Sequence, residues 1–173
     1  MTFNTDSQLL SEKAQRIFQS YSELGIDARL ALLYLIYEQM GESITPAAPV
    51  AADPQLAPVL LGDFYQLAKD EQLSVMREIV NREDTEYSRA YGGLRENNQL
   101  AVWYAWAKGM GDTVVGMPDG YQPTEAINSV LEAIEGLEFQ EQISVLRLIA
   151  GSMGYSEVEP IPTQAETGKT SSL

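Results

Sequence analysis

A chain of 173 residues with 45 % apolar content can bury one core or two small subdomains sharing one. It has no cysteine and no histidine, which excludes disulfides, thiol and imidazole nucleophiles, zinc sites of the usual kind and the commonest general base. Its 25 acidic against 11 basic residues leave a net charge of −14, a balance that repels nucleic-acid phosphates and anionic lipid surfaces and serves solubility or docking to a basic partner.

At the start, MTFNTDSQLL lacks both the basic opening and the apolar core of a signal peptide. No apolar run in the chain approaches the roughly 20 residues that span a bilayer. A cytoplasmic protein that does not span a membrane is expected.

From Ser7 to Leu24 the positions Leu10, Ala14, Ile17, Phe18 and Tyr21 recur at three and four, the spacing of an amphipathic helix closed by Gly25. Asp27 then suits the cap of a second helix, apolar at nearly every position from Leu30 to Tyr37 and stopped by Gly41. Pro46, Pro49 and Pro54 oppose helix in the linker that follows. Asp53 before Pro54 resembles an N-cap with an N1 proline, opening a helix to about Gln66.

A further helix is expected from about Lys69 to Asn81, and a short helix with a Gly-Gly turn between Thr85 and Leu94. The stretch Asn97 to Gly111 sets Leu100, Trp103, Ala107 and Met110 on one side of a helix, with Tyr104 and Gly111 beside them. Large rings alternating with very small residues make a groove, and Trp106 adds a third ring. Such a stripe suits a long flat apolar partner as well as it suits a neighbouring helix. The loop TVVGMPDGYQP leads to helices at about Thr124 to Ile134 and Phe139 to Met153, and the polar stretch 156–173 reads as a mobile tail. Val114 and Val115 are too short a run for a strand, so the chain is expected to be all-α, with seven to nine helices.

Laid on itself at an offset of 70 residues, the chain places RLALLYLIYEQMGE over QLAVWYAWAKGMGD and DEQLSVMREIV over QEQISVLRLIA. Tyr34 meets Tyr104, Gln72 meets Gln142 and Arg77 meets Arg147. Two blocks in register, with proline-containing punctuation between them, argue for an internal duplication. Two similar helical halves meet in a seam, and an elongated ligand fits such a seam.

Several of these runs together resemble the N-terminal domain of the cyanobacterial orange carotenoid proteins and their stand-alone paralogues, the helical carotenoid proteins. They are MTFNTDS, RLALLYLIYEQMGESITPAAP, the run from Asn81 to Thr85, QLAVWYAWAKGM, PDGYQPT and QEQISVLRLIAGSMGY, so the resemblance covers about residues 1–155. It implies two interleaved four-helix bundles enclosing a carotenoid tunnel, with a ketocarotenoid such as canthaxanthin or echinenone as cofactor.

By position, the resemblance implies carotenoid contacts at Leu30, Tyr34, Tyr37 and Met40, at Leu73 and Met76, and at Leu100, Trp103, Ala107 and Met110. It adds Met117, Pro118 and Tyr121 in the loop, then Ile143 and Arg147. Tyr34 stands where the photoactive proteins have Trp, Arg77 where they have Cys and Pro46 where they have Ile. The light-switching proteins also have a C-terminal domain, which is not part of this sequence, so no photocycle by the chain alone is expected.

Three roles follow from the resemblance: singlet-oxygen quenching, constitutive quenching of phycobilisome excitation, and carriage of carotenoid to a separate homologue of the C-terminal domain. The second places the protein beside phycobilisomes on the cytoplasmic side of thylakoids, with Arg147 as the docking residue rather than a surface partner of Glu138 or Glu141. Chloride binding, seen in some relatives, is implied without named residues. Glu132 and Glu135, the best carboxylate pair for an enzyme, have the spacing of a solvated helix face, and no enzyme is expected.

Overall fold

The computed structural model describes residues 11–44 and 57–156. It shows eight α-helices among the described residues: α1 Glu12–Ser22, α2 Ile26–Ile44, α3 Pro58–Leu61, α4 Lys69–Val80, α5 Glu86–Gly92, α6 Glu96–Lys108, α7 Glu125–Glu135 and α8 Phe139–Gly151. A 3₁₀ turn, Asp63–Gln66, follows α3, and an isolated bridge between Met110 and Val114 is the one trace of β pairing described. The N-terminal residues 1–10, the linker 45–56 with the expected Pro54 helix start, and the expected tail from 157 lie outside the described residues.

Local chemistry explains most of the boundaries. Ser11, Thr85 and Thr124 each accept a hydrogen bond from the amide three residues on, capping α1, α5 and α7. Pro58 occupies the first turn of α3, where a missing N–H costs nothing. Two expectations fail at α2. The helix runs through Gly41 to Ile44, and Asp27 lies inside its first turn while the carbonyl of Gly25 accepts the first helical bond, from the Arg29 amide at 2.9 Å. Asp27 instead pairs with Arg77 of α4, with Nε and Nη2 donating to its two oxygens at 2.8 and 3.1 Å.

The halves of the chain are interleaved. Helix α1 packs on α7 and α8, and α2 on α7, forming one four-helix bundle; α5 packs on α3 and α4, and α3 on α6, forming the other. Contacts of α2 with α4 and α6, and of α6 with α8, join the bundles into one core. Equivalent bonds recur 70 positions apart. Gln72 Nε2 donates to Phe64 O and Gln142 Nε2 to Ile134 O, both at 3.2 Å, while Arg77 reaches Asp27 and Arg147 reaches Asn97.

A C-terminal strap closes the seam. Gly154 N donates to Ile79 O at 2.8 Å, Tyr155 N to Ser88 O at 3.0 Å, and Arg82 Nε to Gly154 O at 3.0 Å. Gly154 has φ +82°, and a Cβ there would stand 2.6 Å from Tyr91 Cδ1. Gly154→Ala is therefore expected to lose about 2 kcal/mol in urea denaturation, from left-handed strain and displacement of a buried ring. Gly25→Ala, where an added Cβ meets nothing within 4 Å, should change stability far less.

Candidate functional site

A cavity of about 240 Å³ lies where α2, α4, α6 and the loop after α6 converge. Helix α2 contributes Asp27, Leu30, Ala31, Leu33, Tyr34 and Tyr37; α4 contributes Leu73, Met76 and Arg77; α6 and its end contribute Trp103, Trp106, Ala107 and Met110. Val115, Gly116, Met117, Pro118 and Tyr121 form the loop wall. Helical spacing explains the α2 face, since Asp27, Ala31 and Tyr34 follow one another at four and three.

The loop wall is held by a buried glutamine. Gln72, fully buried in α4, donates from Nε2 to Phe64 O at 3.2 Å and Thr113 O at 3.0 Å, and its Oε1 accepts from Val115 N at 2.8 Å. Three bonds from one side chain fix a segment that has no regular structure of its own.

Polar atoms in the wall mostly turn away from the cavity. Tyr37 OH donates to Leu100 O at 2.9 Å, Trp103 Nε1 to Tyr91 OH at 2.9 Å, and Trp106 Nε1 to Leu60 O at 3.0 Å. Tyr34 OH donates to Glu38 Oε2 at 3.3 Å. Burial holds the Tyr37 phenol neutral far above the ordinary tyrosine range, and burial followed by the Glu38 carboxylate raises that of Tyr34. The rings themselves interlock: Trp103 and Trp106 meet edge-on at 5.2 Å, Phe64 stacks on Trp106 at 4.1 Å, and Tyr37 lies tilted against Tyr104 at 6.0 Å.

The structure therefore brings Leu30, Tyr34, Tyr37, Leu73, Met76, Trp103, Ala107, Met110, Met117, Pro118 and Tyr121 to one cavity. Met40, Leu100, Ile143 and Arg147 are not in its lining: the first three are buried, and Arg147 donates from Nε to Asn97 Oδ1 at 2.9 Å. Among the described residues Arg147 has no ion pair with Glu138 or Glu141. Trp106 and Asp27 are wall residues that the sequence did not place there. Trp106 was legible as a third ring of α6, and Asp27 as the residue one turn before Ala31, whereas Val115 and Gly116 carry no periodic signal. Among the described residues no group of three acidic side chains could hold a metal ion, and no helix is long and apolar enough to cross a membrane.

Interleaved helical bundles with an aromatic-walled, mostly apolar cavity in their seam define an all-α domain with a cavity between its two bundles. The chain belongs to the orange carotenoid protein N-terminal family, whose model matches residues 7–156. It is 43 % identical over 142 residues to an orange carotenoid-binding domain-containing protein of Nostoc sp. PCC 7120, covering 82 % of this chain and 81 % of that one. The orange carotenoid-binding protein of Synechocystis sp. PCC 6803 is 36 % identical over 79 % of this chain, which spans only 43 % of that protein.

Among solved structures, the fold is similar to the red carotenoid protein of Anabaena (Nostoc) sp. PCC 7120 binding canthaxanthin, with TM-score 0.72, 32 % identity, 83 % of this chain and 99 % of that one covered. The orange carotenoid protein of the same organism, also binding canthaxanthin, matches with TM-score 0.76 and 31 % identity, over 86 % of this chain and 47 % of that one.

Proposed function

We propose that this chain is a ketocarotenoid-binding photoprotective protein that acts chiefly by quenching singlet oxygen. The observation that carries the reading is the cavity: apart from Asp27 and Arg77 its wall is mostly rings, methionines and aliphatic side chains, and the Tyr37, Trp103 and Trp106 donors all point out of it. Such a lining matches a conjugated polyene in kind, being apolar, polarizable and free of competing donors along most of its length. A volume of about 240 Å³ suits one end ring with the adjoining chain, and the rest of the pigment would follow the α2/α6 seam past Tyr37 toward Leu100, Ile143 and Arg147. When bound, the pigment supplies the photophysics, taking up excitation energy and releasing it as heat. The protein's part is to exclude water, to stack Trp103, Tyr37 and Tyr34 on flat carbon, and to fill irregular gaps with Met76, Met110 and Met117. That part is binding, with no acid–base or nucleophilic step, in a protein of the cytoplasm.

The test is to load the chain with canthaxanthin, pass it through gel filtration and measure singlet-oxygen phosphorescence lifetime. Retention of a red-shifted visible band and a shortened lifetime relative to the pigment-free protein are expected. Elution of the protein without pigment would overturn the reading.

Arg147 favours a second role at phycobilisomes. Its guanidinium donates to neutral Asn97 and has no ion pair among the described residues, which suits it to an acidic partner surface. Pigment-loaded protein titrated in the dark against isolated phycobilisomes should then quench their fluorescence, and Arg147→Glu should abolish the effect. If fluorescence stays constant, singlet-oxygen quenching or exchange of pigment with a C-terminal-domain homologue remains as its work.

A further inference from the structure

We propose that Arg77 reads the terminal oxygen of the pigment, making this cavity selective for an end ring that carries a carbonyl group. The inference rests on the pigment-binding reading and adds which end group enters this cavity and what recognises it.

The cavity wall holds two charged residues, Asp27 and Arg77. Their pairing is bidentate, yet the two side chains are 69 % and 47 % exposed, so the pair stabilises the fold by little. What it does do is hold the guanidinium in place at the rim. With Nε and Nη2 on the carboxylate at 2.8 and 3.1 Å, Nη1 keeps its donors, and they have no partner among the described residues.

The remaining wall donors are occupied elsewhere: Tyr34 by Glu38, Tyr37 by Leu100 O, Trp103 by Tyr91 and Trp106 by Leu60 O. Among the wall's side-chain donors, that leaves Arg77 Nη1 and the Tyr121 hydroxyl. Arg77 is the stronger candidate because its bond is charge-assisted and its fork is already immobilised, so little ordering remains when an acceptor arrives. Asp27 also cancels its charge, which matches the rim to a neutral carbonyl oxygen and not to a carboxylate.

The equivalent pair in the other half sharpens the assignment. Arg147 is held by Asn97 through a single bond from Nε, and neither residue lines the cavity. The carbonyl ring of an unsymmetrical pigment should therefore lie at the Arg77 rim.

The experiment loads the whole chain from an equimolar mixture of canthaxanthin and β-carotene, which lacks oxygen, and quantifies both pigments after extraction. The wild type is expected to enrich canthaxanthin about tenfold, the worth of one charge-assisted hydrogen bond. Arg77→Met should remove most of that enrichment while still retaining β-carotene, and Asp27→Asn, which unpins the fork, should fall between. Tyr121→Phe should keep the wild-type ratio. Resonance Raman spectra of bound canthaxanthin should show a lowered carbonyl stretch that returns toward the free value in Arg77→Met. A wild-type ratio and carbonyl band in Arg77→Met would overturn the proposal, as would loss of enrichment in Tyr121→Phe alone. Failure of the wild type to retain either pigment would instead overturn the pigment-binding reading on which it rests.

Discussion

Trp106→Ala is expected to destabilise the protein by about 3–5 kcal/mol, read as a lower urea midpoint with little change in slope. Trp106 is 1 % exposed, stacks on Phe64 at 4.1 Å and meets Trp103 edge-on at 5.2 Å. Truncation removes both ring contacts and opens a void beside a cavity that already exists, so neighbouring side chains have little to collapse onto. It also strips the Leu60 carbonyl of its donor, Trp106 Nε1 at 3.0 Å, leaving a buried acceptor unsatisfied. Because Leu60 belongs to α3 and Trp106 to α6, the same change loosens one bundle where it meets the seam. Trp106→Phe keeps most of the stacking and should lose roughly half as much, the remainder being the N–H bond and part of the ring volume. Phe139→Ala, at a residue 44 % exposed, should alter stability by well under 1 kcal/mol. A Trp106→Ala midpoint within 1 kcal/mol of wild type would mean that the aromatic stack is not part of the core.

Much of this organisation is legible in the sequence because it is written in short-range chemistry. Thr124 before an apolar period of three and four marks α7, and the α6 pattern of rings and small residues places Trp103, Ala107 and Met110 on the cavity. The offset of 70 residues anticipates the paired glutamine and arginine bonds, since equal residues at equal register meet equal surroundings. What fails is whatever tertiary contact decides. Gly41 reads as a stop because glycine is a poor helix former, yet α2 continues to Ile44. Asp27 reads as a cap, but Arg77, fifty positions away, draws it into an ion pair that no local pattern contains. Leu100 shares the α6 stripe with Trp103, Ala107 and Met110, yet it is buried without lining the cavity that they line. Periodicity tells which side of a helix is apolar, and only packing tells whether that side meets another helix or a space.

Alkaline pH is expected to unfold the protein cooperatively, with stability falling by about 4 kcal/mol per pH unit once the pH passes 10. Three phenols drive this. Tyr21, Tyr37 and Tyr91 are buried, and burial raises each above the ordinary value of 10.0, with Arg29 offsetting the rise in part for Tyr21 and the Trp103 bond doing so for Tyr91. A raised folded pKa means that the native state holds a proton that the unfolded chain releases. The contribution is therefore complete below the unfolded value of about 10 and is lost as pH climbs toward the folded one. Two of the hydroxyls bind across the bundles, Tyr37 of α2 to Leu100 O of α6 and Tyr91 of α5 to Ala150 O of α8, while Tyr21 bonds Met153 Sδ within the first bundle. Urea midpoints collected at rising pH, together with phenolate absorbance, give the slope. Tyr37→Phe should reduce it by about a third while losing about 1 kcal/mol at neutral pH through its missing bond. Native titration of all nine tyrosines without unfolding would contradict the argument. Since Tyr37 also walls the cavity and Tyr91 anchors Trp103, ionisation that parts the halves must dismantle the ligand wall in the same transition, and bound pigment should leave at the pH at which the fold does.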